Sequence, residues 1–82
     1  LKVPNQAIVE ENGINYVVRN RAGYLDKILV EVTRKNDKYS IVSNYSTDEL
    51  KELGFTTDEI INMRKLSIYD EVVLNPDLNK VQ

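Results

Sequence analysis

The sequence predicts an α+β fold that is mainly β, a small antiparallel β-barrel or roll of about five to six strands with a two-helix insertion before the last strand. Three observations carry this prediction. Segments that alternate apolar and polar residues recur along the chain and are separated by turn residues. Asn12-Gly13 sits between two of them as a tight hairpin turn, and "STDELKELGFTTDE" (46–59) carries two helix-start signatures ten residues apart.

Pro4 fixes its own φ and pushes Val3 toward an extended conformation, so "VPNQAIV" reads as a linker feeding a strand. Ala7–Glu11, Asn-Gly, then Ile14–Arg19 is a hairpin, because Asn12 and Gly13 both tolerate the positive φ that a type I′ turn requires. That register sets Val9 opposite Tyr16 and Ala7 opposite Val18, with Ile8 and Val17 sharing the other face. "NRAG" (20–23) is a second turn. From Leu25 to Thr33, Ile28, Val30 and Val32 alternate with Lys27, Leu29 and Glu31, a half-buried strand in which Leu29 is the exception. "RKND" turns the chain again and Tyr39–Ser43 returns. The last strand is Asp70–Leu74, stopped by Asn75-Pro76, since proline cannot donate to a ladder.

The insertion is helical on local grounds. Ser46 with Glu49, and Thr56 with Glu59, are capping boxes, and Gly54 stands where a helix C′ residue belongs. Helices are therefore expected from about Thr47 to Leu53 and from about Thr57 to Lys65. Leu50, Leu53, Phe55, Ile60, Ile61 and Met63 are their expected buried residues. Helices this short do not persist alone in water, so they must pack on the sheet or on a partner. Residues 1–76 are expected to form a single domain with the insertion at about 46–66, and 77–82 a flexible tail.

Composition narrows the function classes. With 82 residues and no cysteine, the chain is one small domain without disulfides or thiolate metal sites. With no histidine either, Ser–His and Cys–His nucleophiles and most zinc sites cannot be built. Paired carboxylates stand at Asp48/Glu49, Asp58/Glu59 and Asp70/Glu71. The first two pairs occupy helix first turns, where acids complement the dipole; the third points to opposite faces of a strand. No catalytic, cofactor-binding or metal-ligating residue is therefore assigned, and no cofactor is expected. The formal charge of −2, from 11 basic and 13 acidic side chains, argues against nucleic acid. Arg19 and Arg21 in one turn, and Arg34, Lys35 and Lys38 in another, read as solvated strand ends. A helix-turn-helix reading of 46–66 fails on charge, since Asp48, Glu49 and Glu52 face only Lys51 in its first helix. No apolar run exceeds three residues, against about 20 for a membrane span. The chain begins with Leu, so any targeting or anchoring segment is expected to lie outside it.

Taken in order, "VPNQAIV", "NYVV", "ILVEV", "YSIVS" and "YDEVVLNP" resemble the membrane-proximal end of HlyD-type periplasmic adaptor subunits, or membrane fusion proteins. In that family a proline-led "VP..A(I/V)" segment leaves a preceding β-barrel domain, a return strand reads like "YVV", and the domain closes on a "G(D/E)EVV..P"-like strand. These elements fall on Val3–Val9, Tyr16–Val18, Ile28–Val32 and Asp70–Pro76, and with the segments that join them the resemblance covers about two-thirds of the chain. One departure stands out: where the family has a short "GL..GD" turn, this chain has Asn44–Ser67 with the helix pair, and Tyr69 replaces the glycine. Such an insert is similar to those of a Gram-positive branch. The resemblance implies a non-enzymatic scaffold in secretion or efflux, on the extracytoplasmic face of the bacterial cytoplasmic membrane. It implies as partners a membrane transporter (permease) and neighbouring adaptor copies. Leu50, Phe55, Ile60 and Met63 are the candidate contacts. The alternative from the residues themselves is a stand-alone protein- or peptide-binding module that uses the helix pair as its groove.

Overall fold

The computed structural model describes residues 1–81, so the last residue of the expected tail lies outside them. It is a mainly antiparallel β structure with two short helices, the class the sequence predicts. In chain order the elements are β1 (Lys2–Pro4), a 3₁₀ turn (Asn5–Ala7), β2 (Ile8–Glu11), β3 (Ile14–Arg21), β4 (Tyr24–Lys35) and β5 (Tyr39–Ser43). They are followed by α1 (Thr47–Glu52), α2 (Thr57–Asn62), β6 (Glu71–Val72) and a last 3₁₀ turn (Leu78–Lys80).

The sheet order is β1-β5-β4-β3-β2, and β6 also pairs with β3. β1 and β2 are consecutive in the chain yet occupy the two ends of the sheet. The N-terminal segment therefore spans the gap between the edges and nearly closes a barrel. That closure explains one departure from the expected hairpin. Val9 does face Tyr16, and Ile8 faces Val17, but Ala7 does not face Val18. Ala7 instead ends the 3₁₀ turn that carries the chain from β1, paired with β5, to β2, paired with β3. The carbonyl of Val18 is taken by the Val73 N–H at 2.9 Å, on the side where β6 continues beyond β2.

The turns follow from residue type. Asn12 and Gly13 have φ of 54° and 81°, as the type I′ turn requires. A second two-residue turn of this kind, Ala22-Gly23 with φ of 52° and 85°, extends β3 to Arg21 and starts β4 at Tyr24. An alanine in this left-handed region costs about 1–2 kcal/mol, which the seven-residue ladder between β3 and β4 offsets. At the far end of β4, Asn36 Oδ1 accepts from the N–H groups of Lys38 and Tyr39 at 2.9 and 2.8 Å, a local turn that competes with strand continuation. Between them β4 runs for 12 residues and is bent by a bulge at Thr33, where the register slips between Val32 and Arg34. The bend lets one long strand belong to both halves of the barrel.

Inside lie Val3, Val17, Ile28, Val30, Val42 and Leu66, all buried. Complete burial of one such side chain contributes about 1.5–3 kcal/mol, so this cluster holds the fold. Val18 is fully buried beside Val17, so both faces of β3 are covered at its centre. Leu66 reaches this core from beyond α2, and its position is pinned by Asn44. The Asn44 side chain donates to the Leu66 carbonyl at 2.9 Å and accepts from the Leu66 N–H at 3.0 Å. One residue thus ties together the start and the end of the helical insertion. The closing strand is shorter than expected: only Glu71 and Val72 pair regularly, with Arg19 and Asn20 opposite Val72 and Glu71. Asn75 then turns away at φ 48° and donates to the Gln6 carbonyl at 2.8 Å.

Candidate functional site

Both helices are built by their ends. Ser46 Oγ accepts from the Glu49 N–H at 3.2 Å while Glu49 Oε1 accepts from the Ser46 N–H at 3.0 Å. Thr56 and Glu59 repeat the exchange at 3.2 and 2.9 Å. The backbone N–H of each cap residue holds the Glu49 and Glu59 carboxyls below the usual glutamate range, helped by the cap hydroxyls. α1 stops in a Schellman motif: the Phe55 N–H donates to the Leu50 carbonyl at 3.1 Å, and the Gly54 N–H to that of Lys51 at 3.0 Å. Gly54 has φ 98°, a conformation that side chains rarely adopt.

α2 ends at Asn62, three residues before the expected Lys65. Met63 is already extended, with φ −70° and ψ 138°, because the chain must straighten for Leu66 to reach the core and Asn44. The helices are therefore only six residues each, and so short an element can bury one narrow stripe. Leu50 takes it in α1 and is 4% exposed, while Ile60 and Met63 are half-buried and Phe55 likewise. Leu53 and Ile61, expected inside, are 46% and 73% exposed. Ile61 follows Ile60 by one step of about 100° around the helix, so the two cannot face inward together. Leu53 sits at the C-cap, where the chain already turns toward Gly54.

Two clefts frame this pair. Between the helices, Leu50, Ile60, Ile61 and Met63 line a groove of about 320 Å³, rimmed by Lys51 and Lys65. Between the pair and the sheet, Phe55 and Met63 meet Tyr16 and Leu29 across a cleft of about 220 Å³. Leu29, the apolar exception on the outer side of β4, thus lies under the insertion. Of the four candidate contacts, Leu50, Ile60 and Met63 share the first groove, and Phe55 with Met63 belongs to the second.

An ion network lies beside them that sequence reasoning missed. Arg19, read as a solvated turn residue, is buried, with its side chain 5% exposed. It donates to Asp26 Oδ2 at 3.0 Å and stands 3.6 Å from Asp70 Oδ2. Arg64 donates to Asp26 at 2.7 Å, and Arg21 to Asp70 at 3.2 Å. The N–H of Ser67 donates to Asp70 at 2.8 Å, and this bond, with the two guanidiniums, holds the Asp70 carboxyl below its ordinary value of 3.8 despite its burial. Arg19 Nε is buried with no acceptor among the described residues; an unmade hydrogen bond of this kind costs about 1–3 kcal/mol. The signal was present in the alternation: Arg19 follows the inward Val17 by two residues, and a two-residue turn at Ala22-Gly23 sets it directly opposite Asp26.

Among the described residues, no group of three or more His, Cys, Asp or Glu is placed to hold a metal ion, and no helix is long and apolar enough to cross a membrane. What the arrangement presents is a set of apolar side chains held at a surface by capped helices, beside a row of guanidiniums. Comparisons of the chain with protein-family models, curated proteins and solved structures return no match.

Proposed function

We propose that this chain is a non-enzymatic assembly domain of an HlyD-type secretion or efflux adaptor. It contacts a membrane transporter and neighbouring adaptor copies on the extracytoplasmic face of the cytoplasmic membrane, anchored through segments outside this chain. The observation that carries the reading is the ordered set of strand motifs. Its first and last members lie side by side, with the Asn75 N–H donating to the Gln6 carbonyl at 2.8 Å. A domain whose lead-in and exit segments meet at one edge suits a module threaded into a longer, elongated subunit. The helix pair supplies the contact surface, since Leu53 and Ile61 are exposed beside the half-buried Ile60 and Met63.

The reading frame upstream of Leu1 provides the test. It is expected to encode a transmembrane or lipid anchor, heptad-patterned hairpin helices and two half-motifs of a lipoyl-like domain. A start codon close before Leu1 with none of these overturns the proposal. The exposed Ile61 also favours the second reading, a stand-alone peptide- or protein-binding module. A photo-crosslinker at Ile61 in the full-length protein, in its own cells, separates the two. Adducts with an integral-membrane transporter or a second copy support the adaptor; adducts confined to soluble proteins support the module.

A further inference from the structure

Arg19, Arg21 and Arg64 converge on one cleft of about 430 Å³, whose wall is completed by Ala22, Tyr24 and Asp26. Three guanidiniums face two carboxylates, Asp26 and Asp70, which leaves one positive charge in a chain whose formal charge is −2. Each guanidinium carries five N–H donors in a planar fork. Arg21 and Arg64 each direct one side-chain hydrogen bond to a carboxylate, and both side chains are 64% exposed. Behind them Arg19 is buried, and its Nε has no acceptor among the described residues. The network is therefore under-supplied with anions where it opens to solvent.

We propose that this cleft binds a carboxylate side chain from an acidic segment of a protein partner. A carboxylate accepts two parallel N–H groups from a guanidinium fork, and its single charge matches the single surplus charge of the cluster. A phosphate, carrying up to two charges, exceeds that surplus and meets the standing charges of Asp26 and Asp70. Tyr24, 65% exposed, offers a flat wall for the methylene stem of a glutamate. Arg64 and Asp26 also line the cleft beneath the helix pair, so an acidic segment bound here runs alongside Phe55 and Met63. The inference goes beyond the adaptor reading and stands on the arginine cluster whatever the helix pair meets.

The experiment is a ¹⁵N NMR titration of the chain, following the Nε–Hε signals of its arginines and the Tyr24 amide, with capped pentaglutamate, capped pentaglutamine and inorganic phosphate. Pentaglutamate is expected to move the Arg21 and Arg64 signals saturably, and added salt to weaken the effect. Arg21→Gln and Arg64→Gln, both exposed positions, are each expected to weaken binding about tenfold, the scale of one charge-assisted hydrogen bond. Pentaglutamine and phosphate are expected to leave those signals without a saturable shift. The proposal is overturned if pentaglutamate produces no saturable shift, if pentaglutamine matches it, if phosphate binds as tightly, or if both variants bind unchanged. The wild-type comparison of the three probes decides even if a variant fails to fold.

Discussion

The barrel and the helix pair are stabilised in opposite ways. In the barrel, Val17, Val18, Val30 and Val42 are fully buried and Ile28 nearly so, and their ladder partners lie on neighbouring strands, beyond the reach of a single helical turn. In the helix pair only Leu50 is buried, and most of the hydrogen bonds reach three or four residues. Packing holds the first region and end-capping the second. The difference teaches where a partner can act without disturbing the fold: on the region whose apolar side chains are not committed to the core.

The largest expected break of this contrast is Ile28→Ala, which empties a buried core position and should cost about 2–5 kcal/mol in a urea titration. Next is Asn44→Ala. It leaves the partly buried Leu66 N–H and carbonyl without their partner and unties the base of the insertion, at about 2 kcal/mol. Phe55→Ala should cost about 1–2 kcal/mol, below the 3–5 of a fully buried phenylalanine, because its ring is half-buried against Leu29 and Met63. Ile61→Ser, at a side chain 73% exposed, should change stability by less than about 0.5 kcal/mol. A value near that of Phe55 would mean that the outer face of α2 is packed after all.

Acid sharpens the contrast from another side. Asp70, Glu49 and Glu59 all have folded-state values below their ordinary ones. For a lowered value the stabilisation is complete above the unfolded-state value, and it is lost as pH falls through the folded-state value. These groups should therefore make the urea midpoint no different between pH 7 and about 6, where their full stabilisation is present. It should decline once pH drops below the ordinary values of 4.5 for glutamate and 3.8 for aspartate. Asp70→Asn should flatten the part of that decline that belongs to the barrel.

The elements were legible in the sequence wherever a local rule writes them. Asn12-Gly13 fixed its hairpin register, and Ser46, Glu49, Thr56, Glu59 and Gly54 placed both helix starts and the first helix end. What was not legible depends on distant groups. Ala7 leaves its ladder because Val73 occupies the Val18 carbonyl, 55 residues away in the chain. Leu66 enters the core because Asn44 reaches across the insertion, and Arg19 is buried because Asp70 comes to meet it. The candidate contacts were half legible: their apolar character was plain, but which of Ile60 and Ile61 takes the inner stripe depends on how a six-residue helix is seated.

Native-state amide exchange tests the division most directly. The β3 and β4 amides around Val17 and Ile28 should exchange only through global unfolding, with a free energy that falls steeply with denaturant. The Leu53, Gly54, Ile60 and Met63 amides, whose acceptors all lie within their own helices or at the N-cap, should exchange through local opening at a lower and denaturant-insensitive free energy. If those four amides exchange with the same free energy and denaturant slope as the barrel, the helix pair belongs to the core, and its role as a free contact surface is contradicted.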